Sequence, residues 1–152
     1  GMIVLRPGEL PARPDKERYL KAVSAFENAG YKAEATPAYQ AALAKWPEDD
    51  LVRFALANNY LERGQNDSAE ELYRHILRDT PGNLAAANNL AETLMRKGCG
   101  EQAKTLITDA VNEAQRHGSP FLDTLKETEA EVSRSKREAV ERDCEDSPKL
   151  IR

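Results

Sequence analysis

The sequence predicts an all-α fold, a solenoid of three tandem helical hairpins followed by a capping helix. Sliding the chain by 34 residues superposes Asp15, Asp49 and Asn83. Each carries a side-chain oxygen able to cap the free N–H groups of a following helix. The same slide superposes Gly30, Gly64 and Gly98, placed to end a helix in the left-handed conformation. It also brings together Ala35, Ala69 and Ala103, then Tyr39, Tyr73 and Ile107, then Phe26, Tyr60 and Leu94, then Ala22, Leu56 and Leu90. Pro47 pairs with Pro81, with Gln115 in the third place, and no insertion is needed anywhere.

The elements follow in order. Residues 1–14 carry Pro7, Pro11 and Pro14, and proline fixes φ and removes a donor, so this arm is expected to be an extended linker. Gly1-Met2 reads as the scar of a cleaved tag, so the native chain is expected to continue upstream. Three units are expected over 15–117, at 16–49, 50–83 and 84–117. In the second, Leu51, Phe54, Ala55, Leu56 and Tyr60 keep helical spacing up to Gly64, and Ala69, Leu72, Tyr73, Ile76 and Leu77 form a second amphipathic face. A lone hairpin cannot bury both faces, so neighbouring units must stack. In the first unit Thr36-Pro37 falls inside the expected second helix. Proline is tolerated at the first helical position, so that helix is expected to start late with Thr36 as its cap. Ser119-Pro120 opens a capping helix over 118–142 with an apolar stripe of Phe121, Leu125, Thr128 and Val132. Residues 143–152 are expected to be a disordered tail.

Composition narrows the function. With 40% hydrophobic and 32% charged residues the chain belongs among folded, helix-rich proteins rather than disordered or fibrous ones. A net charge of -4 argues against nucleic acid, whose binders concentrate basic residues to neutralise phosphates. The nearest basic cluster, Arg134, Lys136 and Arg137, is diluted by Glu129, Glu131, Glu138 and Glu141. No apolar run approaches the roughly 18 residues that span a bilayer, so no membrane insertion is expected. The two cysteines, Cys99 and Cys144, show no CxxC pairing and do not indicate a redox compartment. A Cys99–His117 dyad is excluded, because about sixteen helical residues hold the two more than ~20 Å apart. His75, beside Tyr73 and Ile76, reads as an ordinary helix residue. No phosphate loop, HExxH or acidic metal loop occurs. The expectation is no catalytic residue, no metal and no cofactor.

The pattern Leu56-Ala57-x-x-Tyr60, Gly64, Ala69, Tyr73, Pro81, repeated at this period over roughly residues 16–117, resembles the tetratricopeptide repeat. The tryptophan usual early in the first helix is replaced by Tyr19, Arg53 and Ala87. The resemblance implies a right-handed superhelix whose first helices line a concave groove for a protein or an extended peptide. Carried over position by position, that groove would be lined by Glu17, Leu20, Lys21 and Ser24 in the first unit. The second would supply Leu51, Phe54, Ala55, Asn58 and Glu62, and the third Asn88, Asn89, Glu92 and Arg96. Asparagine can both donate to and accept from a peptide backbone, which makes Asn58 and Asn89 the expected anchors. Chaperone-binding members hold a C-terminal carboxylate with a clamp that includes lysine and arginine. The matching positions here, Leu20, Ser24, Ala55, Ala85 and Asn89, hold no basic residue, so that subclass is rejected.

Three functions follow. The first is a peptide- or protein-binding scaffold without catalysis of its own, an accessory region of a larger protein. The second rests on Leu5-Arg6-Pro7-Gly8-Glu9-Leu10-Pro11-Ala12, Ala41-Ala42-Leu43-Ala44-Lys45-Trp46-Pro47 and Ala87-Asn88-Asn89-Leu90-Ala91. These resemble the C-terminal repeats of bacterial C39-like cysteine peptidases, which implies an upstream catalytic domain and a cell-envelope location; without it a cytoplasmic one is expected. The third is self-association as a homodimer.

Overall fold

The computed structural model describes residues 15–135 and 144–150. Among these are seven α-helices and no strand: α1 (Lys16–Asn28), α2 (Lys32–Lys45), α3 (Asp50–Glu62), α4 (Asn66–Asp79), α5 (Leu84–Arg96), α6 (Gly100–Arg116) and α7 (Leu122–Arg134). The proline-rich arm at 1–14 and the segment 136–143 lie outside the described residues. The chain divides into two compact units between Gln65 and Asn66.

Local sequence explains the helix ends. Asp15 accepts from the Arg18 amide at 3.1 Å, Asp49 from Leu51 at 2.9 Å and Val52 at 3.1 Å, and Asn83 from Ala86 at 3.0 Å. These caps satisfy N–H groups that a helix start leaves without partners. Asp49 also pairs with Lys16. Burial alone would raise the Asp49 pKa, but the Lys16 ammonium and the two amides hold it below its ordinary value. At the far ends, Gly30, Gly64 and Gly98 adopt φ of 106°, 76° and 83°, the left-handed region that only glycine enters freely.

In the first unit α2 packs against both α1 and α3. Tyr19, Val23, Ala35, Ala38, Tyr39, Ala42, Val52, Leu56 and Ala57 are buried. Two positions where the repeat family usually carries tryptophan belong here, and each is filled differently. Tyr19 is fully buried and donates to the Ala38 carbonyl at 2.9 Å. Arg53, 3% exposed, directs its guanidinium to Asp50 at 2.6 Å and to the Pro47 carbonyl.

The late start expected for α2 is corrected. The helix begins at Lys32 and runs through Pro37. A proline there deprives the Ala33 carbonyl of its usual donor, but Ala33 is exposed and water can serve it. Thr36 is buried and its hydroxyl is engaged with Asn59 and Arg63, so it cannot act as a cap.

In the second unit α5 packs on α4 and α6, and α7 lies against α6 and α5. Tyr73, Ile76, Leu90, Leu94, Leu106, Ile107, Leu125 and Val132 are fully buried, each worth about 1.5–3 kcal/mol on removal from water. The helix foreseen at Ser119-Pro120 starts at Leu122, after a turn in which Ser119 Oγ accepts from the Phe121 amide at 3.1 Å.

The disordered tail expected from residue 143 is also corrected, for residues 144–150. Cys144 forms a disulfide with Cys99. Arg74 donates to the carbonyls of Asp146 at 2.9 Å and Glu145 at 3.2 Å. Ser147 donates to the Gln102 carbonyl, and Leu150 is buried. A covalent tie plus part-buried hydrogen bonds offsets the ordering entropy that a polar tail otherwise keeps.

Candidate functional site

Helical spacing puts residues i, i+3, i+4 and i+7 on one face. On α1 that face carries Glu17, Leu20, Lys21 and Ser24, and on α3 it carries Leu51, Phe54, Ala55, Asn58 and Glu62. All nine line a single cavity of about 580 Å³ in the first unit, together with Glu27 and Tyr39. The volume falls in the ~300–1,000 Å³ range of sites that enclose a small ligand. Leu51, at the start of α3, remains 59% exposed.

Glu27 and Tyr39 had no place in the sequence reading of the groove. They are held by a polar network that ties α1, α2 and α3 together. Asn59, fully buried, donates to Glu27 Oε2 at 2.7 Å and to the Lys32 carbonyl at 2.9 Å. The Tyr39 hydroxyl donates to Glu27 Oε1 at 3.0 Å. Thr36 donates to Asn59 Oδ1 and accepts from Arg63 at 2.9 Å. Burial, and then the Glu27 carboxylate, push the Tyr39 pKa well up, so the phenol stays a neutral donor. A carboxylate is thereby fixed at the cavity wall by neutral groups. At the rim Glu62 bridges to Lys32 at 2.8 Å, which raises the lysine's pKa.

The third set of expected groove residues lies on α5, in the second unit, and does not line this cavity. Asn88 is buried, with its amide donating to Asn89 Oδ1 at 3.1 Å. Glu92 and Arg96 pair at 2.8 Å.

The second unit has its own charged cavity of about 360 Å³, lined by Asp67, Glu70, Glu71, Arg74, Arg78, Lys97 and Glu145. Glu70 is bridged by Arg74 at 2.7 Å and by Lys97 at 2.5 Å, and Lys97 also reaches Asp67 at 2.7 Å. The i, i+4 placement of Glu70 and Arg74 is a legible signal for that ion pair. Among the described residues no three histidine, cysteine or acidic side chains gather as metal ligands would, and no helix is long and apolar enough to cross a membrane.

The tetratricopeptide repeat family model matches residues 33–81 and 60–123. Among solved structures the chain is similar to the Sgt2 TPR domain from Aspergillus fumigatus, with a TM-score of 0.63 and 19% identity over 95% of this chain and 97% of that one. At that identity the likeness speaks for the fold alone. No curated protein matches the sequence.

Proposed function

The chain belongs to the tetratricopeptide repeat family, and from that premise we propose that it is a non-catalytic scaffold whose first unit holds an extended peptide in the α1–α3 cavity. Repeats of this family generally serve as protein-interaction scaffolds. One observation carries the assignment to this surface: the residues aligned with the family's groove on α1 and α3 line a common cavity with the exposed Leu51 at its edge. Leu20, Leu51, Phe54 and Ala55 suit an apolar side chain, and Ser24 and Asn58 suit a peptide backbone.

The test is selection and loss. Peptides selected by display on the immobilised chain are remeasured against Leu51→Ser, an exposed site whose change leaves the core intact. The proposal expects at least a few-fold loss of affinity. Peptides that bind wild type and Leu51→Ser alike would place recognition elsewhere.

The disulfide favours one location over the other. Such bonds persist in oxidising compartments and are rare in the cytosol, so we place the protein in the cell envelope or outside the cell. Thiol titration of protein from its native source, under denaturing alkylation, is expected to find Cys99 and Cys144 unreactive. Two free thiols would contradict this.

A further inference from the structure

We propose that the α1–α3 cavity selects a cationic peptide, an extended segment in which an aliphatic side chain is flanked by arginine or lysine. This rests on the binding reading above and adds the chemistry of the guest. The lining holds three carboxylates, Glu17, Glu27 and Glu62, against one ammonium, Lys21, and with Lys32 bridging Glu62 at the rim the site keeps an excess of one negative charge. The Glu27 carboxylate is held at the cavity wall by two neutral donors, Tyr39 and Asn59. Negative charge concentrated in a low-dielectric concavity draws cations and rejects anions. The apolar part, Leu20, Leu51, Phe54 and Ala55, lies within the same lining, so one guest can satisfy both. Arginine suits the site best, because its planar fork can pair with a carboxylate through two hydrogen bonds while its stem covers apolar surface.

The experiment uses three short fluorescein-labelled peptides of equal length. Each has a central Leu-Leu pair flanked on both sides by arginine, by glutamine or by glutamate, and anisotropy reads binding to the full chain. The expected order of affinity is arginine, then glutamine, then glutamate. Glu17→Gln with Glu62→Gln, both rim positions whose folding is checked by thermal melting, should weaken the arginine peptide about two- to fivefold per carboxylate. The same pair should weaken the glutamine peptide by a smaller factor than the arginine peptide. Equal affinity for all three peptides, with all three lost in Leu51→Ser, overturns the charge selection and leaves the cavity as the binding surface. Failure of every peptide to bind, or equal binding to Leu51→Ser, overturns the cavity reading itself.

Discussion

The side-chain amide of Asn59 reaches Oε2 of Glu27 at 2.7 Å, across 32 residues of sequence, and links α3 to α1. Asn59 has no solvent exposure, and its loss removes one partner each from Glu27, the Lys32 carbonyl and the Thr36 hydroxyl. Asn59→Ala should therefore destabilise the first unit by about 1–3 kcal/mol, the cost of losing part-buried hydrogen bonds of which one goes to a carboxylate. Urea titration followed by circular dichroism measures this. A loss below about 0.5 kcal/mol would mean the network is not formed.

The disulfide joins residues 45 positions apart. For a loop of that length the chain-entropy account gives about 4 kcal/mol of stabilisation, commonly less in practice. Cys144→Ser should lower stability by about 2–4 kcal/mol. It should also make 144–150 readily cleaved by protease while α4 to α6 stay resistant. Unchanged resistance in that segment would show that Arg74 and Leu150 hold it without the covalent tie.

Burial alone would raise the pKa of Glu70, but hydrogen bonds from Lys97 and Arg74 outweigh it and hold the carboxyl below its ordinary value of 4.5. A carboxylate with a depressed folded-state pKa contributes stability above its unfolded value. That contribution disappears as pH falls through the folded value. Lys97 is the mirror case: burial lowers its pKa, Asp67 and Glu70 overcome this, and the net shift is upward. Its contribution is complete below the ordinary lysine pKa and disappears as pH rises through the folded one. Glu70→Gln should accordingly be less stable than wild type from pH 5 upward, about the ordinary carboxyl range, with the difference shrinking as acid protonates Glu70. A gap independent of pH would remove the ionic account.

Ala69 has no exposed surface on α4, and it occupies the small-residue position of the repeat. Ala69→Leu should overpack that contact and cost about 1–3 kcal/mol. Thermal melting decides it, and an unchanged midpoint would contradict close packing there.

Much of this fold is written in local chemistry. Asp15, Asp49 and Asn83 cap helices and Gly30, Gly64 and Gly98 end them because each acts within a few residues of itself. The α1 and α3 linings of the cavity are legible for the same reason, since helical period alone puts them on one face. Glu27 and Tyr39 escape such reasoning. Their place depends on Asn59 meeting α1 and α2 in three dimensions, and nothing in the spacing marks Asn59 as more than another helical asparagine. Pro37 misleads because the preference for a first-turn proline is local, whereas burial of Thr36 against Asn59 and Arg63 is tertiary. Residues 144–150 read as tail from their polarity, and only the pairing of Cys144 with Cys99 reverses that reading.

The most direct test of the central claim is amide chemical-shift mapping on the isotope-labelled chain during titration with a display-selected peptide. The account predicts that the largest saturable shifts fall on Leu20, Ser24, Phe54, Ala55 and Asn58. Saturable shifts confined to α4, α6 and α7, with those five amides unmoved, would contradict it.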